Sequence, residues 1–235
     1  MKLPEPNGGG NFTPTPAGQH MAVLTRLIDL GTQPGSQAFP DPKHKILLGW
    51  EIPGHRIEWT KDDQTHEGPV VHFERMTFSM HEKAILRQRL ESWRGKPFTE
   101  GDFGNFDMQN LLRVGALIQI AHDHKDGKTY ANMQAIMLPP GGKDAWAKPE
   151  GDVLYLSLDP DEFDQSTYDK LSNGLQETIA KSPEYQKMFG PMDTGQGNYG
   201  HSDPARQAPQ GGAPAGGYED PLGGGEIPFN KIWWA

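Results

Sequence analysis

Val70-Val71-His72-Phe73-Glu74-Arg75-Met76-Thr77-Phe78 runs directly into Ser79-Met80-His81-Glu82, and then Leu86, Leu90 and Trp93 lead to Gly95. The first nine residues are rich in the β-branched and aromatic side chains that suit a pleated surface, so a strand is expected over 70–78. Ser79 and Glu82 have the spacing of a capping box, with a hydroxyl at the N-cap and a carboxylate three residues on. Leu86, Leu90 and Trp93 recur on one helical face and Gly95 supplies a stop, which predicts a helix from Ser79. Its basic residues (Lys83, Arg87, Arg89, Arg94, Lys96) outnumber Glu82 and Glu91 and read as a solvated face.

Upstream, His20 to Leu30 reads as a strand ending at Gly31, and Lys45 to Ile52 as a second, stopped by Pro53-Gly54. Alternation puts Ile46, Leu48, Trp50 and Ile52 on one face of it. Arg56 to Thr60 is placed to extend this hairpin, with a turn at Lys61-Asp62-Asp63-Gln64. Downstream, Asp107 to Leu112 reads as a short helix. Gly115 to His122 and Thr129 to Leu138 read as strands around Asp126-Gly127, a strong hairpin signal. Val153 to Leu158 adds a short strand. Ser166 to Met188 reads as a helical segment broken at Gly174 and restarted at Ser182-Pro183, where proline suits the first turn. Three strands, a helix and two strands is the order of an OB-fold. The expected class is therefore mainly β: a five-stranded OB-like barrel with a helix between strands 3 and 4, plus a C-terminal helical segment.

Composition sets the limits. Leu, Ile, Val and Phe make up 44 of 235 residues, just under the level of about one fifth below which chains tend to be disordered. Residues 18–189 are richer, with 38 such residues in 172, so one modest core is expected there. Residues 1–17 read as a flexible arm. Residues 190–235 hold 11 glycines and 6 prolines in 46 positions and read as a disordered tail. Residues 1–150 carry 17 basic and 18 acidic side chains, whereas residues 151–235 carry 5 and 13. The overall charge of −9 therefore belongs mostly to the C-terminal third, which repels polyanions. The absence of cysteine excludes disulfides and thiolate metal sites and leaves the redox compartment open; no apolar run reaches the ~20 residues a membrane helix needs and no apolar signal segment stands at the start, so a cytoplasmic protein without a membrane partner is expected.

The chemical motifs are weak. Gly195-Gln196-Gly197-Asn198-Tyr199-Gly200 spells a dinucleotide fingerprint, but Pro204, Gly211 and Gly212 follow where a helix is needed. His122-Asp123-His124 lacks a third convergent ligand for zinc. Asp159, Asp161 and Asp164 have Asp164 and Lys170 where a calcium loop wants glycine and glutamate. Neither a P-loop nor a G-x-S-x-G nucleophile motif occurs. No enzymatic activity, cofactor or metal is expected.

The positive signal is aromatic and basic. Trp50, Trp59, Phe73 and Tyr130 fall on expected strands, with Lys45, Arg56, Arg75, Lys125 and Lys128 on strands or adjoining loops. Single-stranded nucleic acid binding needs this mixture of ring faces for bases and cations for phosphates. Trp50 and Phe78 are the rings expected in the core, while Trp59, Tyr130 and Arg56 are expected to face out. The alternative is an interaction adaptor that works through its tail and binds no nucleic acid, favoured by the near-neutral charge of residues 1–150. At the tail's end, Glu226-Ile227-Pro228-Phe229 and Trp233-Trp234 restore charge and apolar bulk after a long Gly/Pro stretch, a composition suited to a tethered partner-binding tip.

Glu226-Ile227-Pro228-Phe229 resembles the acidic tip of bacterial single-stranded DNA-binding proteins, which ends in Asp-Ile-Pro-Phe or similar. In that family phenylalanine is the last residue; here Asn230 to Ala235 follow it. The folded part resembles a class of bacteriophage single-stranded DNA-binding proteins. The matching pieces are Leu27-Ile28-Asp29-Leu30-Gly31-Thr32-Gln33, Trp50-Glu51-Ile52-Pro53, His81-Glu82-Lys83-Ala84 through Leu90-Glu91-Ser92-Trp93-Arg94-Gly95-Lys96-Pro97-Phe98-Thr99, and Gly127-Lys128-Thr129-Tyr130-Ala131-Asn132. The resemblance implies an OB-like barrel, binding of single-stranded DNA without sequence preference, and a role in phage DNA replication or recombination. Its partners would be replication or recombination proteins recruited through the tip.

Overall fold

Ile46, Leu48, Trp50 and Ile52 all enter one core, as strict alternation along a strand requires. The structure is a computed structural model describing residues 14–190 except 38, 62, 63, 104 and 126, with backbone alone for 59–61 and 144. The tail from residue 191, including Glu226 to Phe229 and Trp233-Trp234, lies outside the described residues.

Five long strands form a curled antiparallel sheet: β1 (Gly18–Gln33), β2 (Lys43–Lys61), β3 (Gln64–Thr77), β4 (Gly115–Lys125) and β5 (Lys128–Met137). Their order across the sheet is β3-β2-β1-β4-β5, the OB-like arrangement. Strands β2 and β3 are longer than the sequence suggested. The register continues past a bulge between Ile52 and Arg56 to Lys61 opposite Gln64, so Pro53-Gly54 bends the strand instead of ending it. Gly31 likewise does not stop β1. It sits at φ 68° beside a register shift, and a Cβ there would lie 2.5 Å from Ser182, so glycine admits the close approach of the C-terminal helices.

No β3–β5 pairing closes the sheet among the described residues. Helix α1 (Ile85–Arg94) spans that gap. Its Arg89 donates to Glu74 of β3 at 3.2 Å and to the Met133 and Gln134 carbonyls of β5; Ser92 Oγ donates to the Ile136 carbonyl at 2.6 Å. Leu86, Leu90 and Trp93 fill the half-barrel from the helix side. The helix stops at Gly95 in the left-handed region as expected, but its N-cap is Ala84, five residues later than its capping-box spacing predicts. Ser79 Oγ instead accepts from His81 N, two residues on, which closes a local turn that competes with the helix. The following aromatic stretch forms α2 (Glu100–Phe103), with Phe98 stacked on Phe103.

The sheet buries two cores, not one. The first lies inside the half-barrel. The second lies outside it, where Ile28, Leu30 and Leu47 meet Leu154, Leu156 and Leu158, Tyr168, Leu171, Leu175 and Ile179. Both faces of this part of β1 and β2 are apolar, so neighbours such as Leu27 and Ile28 go to opposite cores. The outer layer is β6 (Leu154–Leu156), parallel to β1, with α3 (Gln165–Asp169), α4 (Asn173–Ala180) and α5 (Pro183–Phe189). The break expected at Gly174 falls at Leu171–Ser172, because the Ser172 hydroxyl caps α4 by accepting from Leu175 N. Ser182 caps α5 in the same way, with Pro183 in its first turn as predicted. No helix among the described residues is long and apolar enough to cross a membrane.

The arm expected over residues 1–17 does not reach its stated end. Thr15 is buried: its carbonyl accepts from His122 Nε2 at 2.7 Å, and its hydroxyl lies 3.3 Å from Nδ1 of buried His72. His20 Nε2 donates to the Pro16 carbonyl at 2.7 Å. Removing these partners leaves polar groups unsatisfied. A chain beginning at Gly18 is therefore expected to lose about 1–3 kcal/mol of stability in urea unfolding; an unchanged midpoint would show that the arm contributes nothing.

Candidate nucleic-acid interface

Alternation and register define the outer face of the β2–β3 ribbon. Lys45 lies opposite Thr77, Leu47 opposite Arg75, Gly49 opposite Phe73 and Glu51 opposite Val71, with Arg56 beyond the bulge opposite Pro69. Phe73 lies across Gly49: a Cβ at position 49 would come within 2.7 Å of the Phe73 ring and 2.8 Å of Arg26 Cβ. Glycine here lets a large ring lie against the sheet. The half-buried ring packs against the outer core on one side and lines a cleft of about 400 Å³ on the other. Ile57, Pro69, Val71 and Leu154 supply the cleft's apolar walls, and Arg56 and Lys170 add cations to its lining.

The cleft holds a polar cluster that the sequence reading missed. Glu51 is 1% exposed, yet its carboxylate accepts from Glu150 N at 2.5 Å and Gly151 N at 3.2 Å. Arg26, 9% exposed, donates to the carbonyls of Thr25 and Asp152. Burial pulls the Arg26 pKa below the usual arginine range, and the charges of Glu51 and Asp152 oppose that shift. Together Arg26 and Glu51 fasten segment 150–152 across the strands. The available signal was a charge, Arg26 and Glu51, inside each of two largely apolar runs, because such a charge is buried only with partners.

The expected site residues divide into three groups. Phe73 and Arg56 meet in the cleft, with Arg75 and Lys45 in line on the same face. Lys125 and Lys128 are exposed and pair across the β4–β5 turn; Tyr130 is half-buried, opposite Asp123. By register this turn projects from the same end of the half-barrel as the β2–β3 hairpin. Trp59 lies on that hairpin opposite His66, and its side chain is outside the described residues. Trp50 is the correction. It is 1% exposed and its ring meets that of Trp93 at 6.2 Å inside the half-barrel, so it presents no face for a base. Phe78, expected in the core, is 48% exposed beyond the end of β3 and tilts against His44.

The cations on this face are engaged. Arg56 Nε donates to Glu67 at 2.5 Å and its Nη1 to Glu150 at 2.8 Å; these carboxylates raise its pKa. Lys45 Nζ donates to the Thr77 hydroxyl at 3.0 Å. In the cleft, Arg26, Arg56 and Lys170 face Glu51, Glu67, Glu150 and Asp152. Of the His122-Asp123-His124 cluster, His122 bonds the Thr15 carbonyl and His124 the Thr129 hydroxyl. Compared with protein-family models and with curated proteins, the chain matches none.

Proposed function

We propose that this chain binds single-stranded DNA without sequence preference along the outer face of β2–β3. One observation carries the reading: a half-buried ring, Phe73, in a cleft with Arg56, with Arg75 and Lys45 continuing the line along the strands. From Pro69 to Thr77 this track runs ~27 Å at the usual rise per residue. The strand 2–3 face is where OB-folds take oligonucleotides, and ring faces with cations suit any base sequence. The resemblance to bacterial and phage single-stranded DNA-binding proteins extends the proposal to phage replication or recombination. Partner proteins would then be recruited through Glu226 to Phe229 and Trp233-Trp234.

Titration of the full chain with poly-dT, read by intrinsic fluorescence, tests this. Three phosphate contacts, from Arg56, Arg75 and Lys45, predict that log K falls against log salt with a slope no steeper than about −2. Absence of binding at low salt would remove the proposal. The second reading, an adaptor working through residues 190–235, is favoured by the pairing of Arg56 with two carboxylates. It would be selected by null DNA binding together with a pulldown that captures partners only when the tail is present.

A further inference from the structure

A single guanidinium facing two carboxylates carries local net charge −1, the wrong sign for a phosphate site. Arg56 is in that position, and its two partners come from different parts of the chain. Glu67 stands on β3, across the hairpin. Glu150 stands on the segment clasped by buried Glu51, whose carboxylate holds the backbone N–H groups of Glu150 and Gly151. Both carboxylates ride on held backbone, so they lose less freedom in meeting Arg56 than groups on a loose loop would. The side chains of Arg56, Glu67 and Glu150 are 42%, 54% and 45% exposed, so the arginine can exchange them for a ligand from solution.

We propose that Glu67 and Glu150 are resident competitors for Arg56, occupying the place of a DNA phosphate and limiting the affinity of the β2–β3 face. The inference rests on the reading of that face as the DNA track. A phosphate that grips Arg56 by two nitrogens displaces at least one carboxylate, because Nε is given to Glu67 and Nη1 to Glu150. The freed carboxylate then takes up a cation from solution, which offsets part of the counterion release that drives binding. Removing the competitors therefore changes the salt dependence as well as the affinity.

The test is poly-dT titration of full chains carrying Glu150→Gln, Glu67→Gln, both together, Arg56→Gln, and Glu58→Gln as control. Glu58 is exposed on the same hairpin, opposite Glu67, whereas the carboxylates paired with Arg56 are Glu67 and Glu150. Each competitor variant is expected to bind about threefold to fivefold tighter, the scale of an exposed ion pair. The double variant should also steepen the salt slope by up to about 0.7, one phosphate contact's worth. Arg56→Gln should weaken binding and, combined with Glu150→Gln, cancel the gain. Thermal melts confirm that each variant is folded. If Glu150→Gln and Glu67→Gln behave like Glu58→Gln while wild type binds DNA, the competitor role is wrong and the DNA reading stands. If Arg56→Gln binds as well as wild type, Arg56 is not a phosphate contact and the inference falls. A wild-type chain that does not bind removes both.

Discussion

Acidification is expected to cost this fold about 3 kcal/mol by pH 4 through one side chain, His72. His72 is 4% exposed inside the half-barrel, and burial, assisted by the charges of His20 and Arg89, lowers its pKa from 6.5 to about 4. Between those values the unfolded chain binds a proton that the folded chain refuses. Its contribution is therefore complete above about pH 6.5 and is lost as pH falls toward 4. His20, also lowered by burial, acts in the same direction. Two groups act the other way. His44 is raised by its bond to Asp29, so its stabilisation is complete below pH 6.5 and fades as pH rises through its higher folded value. Glu74 is raised by burial beside Arg89, so the folded state takes its proton early on acidification. Urea unfolding of wild type and His72→Gln across pH 4–7.5 separates these contributions, since only the His72 part disappears in the variant. Parallel profiles would mean that His72 is protonated in the folded state or reached by water.

Trp50→Ala is expected to lower stability by about 3–5 kcal/mol, the range for removing a large aromatic from a packed core. The ring is 1% exposed and packs on Trp93, whose Nε1 donates to the Gly115 carbonyl at 2.9 Å and ties α1 to the start of β4. The cavity would open where helix, β2 and β4 meet. Trp50→Phe should cost less, because Trp50 Nε1 is buried with no hydrogen-bond partner among the described residues, and removing that polar atom offsets part of the lost packing. Calorimetry measures the loss, and poly-dT titration of the folded Trp50→Phe chain should match wild type. A small stability change with lost DNA affinity would show that Trp50 opens to meet bases.

The order of elements was legible because it rests on local physics. Period-2 alternation placed Ile46, Leu48, Trp50 and Ile52 in one core, helical spacing placed Leu86, Leu90 and Trp93, and Asp107, Ser182 and Gly95 marked helix ends that formed. These signals act over three or four residues, and the OB-like order follows from them. The candidate site was legible only by residue type. Phe73 and Arg56 were identified, but Trp50 shares their chemistry and lies on the opposite face.

What the tertiary structure alone decided was which face remains open and which charges remain available. Along this part of β1 and β2 both faces are apolar, so alternation could not say that an outer layer from residues 154–189 would cover part of the sheet and leave the cleft beside Phe73. Nor could it bring Glu150 to Arg56 across 94 positions, Glu51 to the amides of Glu150 and Gly151, or Thr15 to His72 and His122. Those pairings satisfy buried or facing polar groups, and their energy depends on distance in space, which sequence separation does not encode.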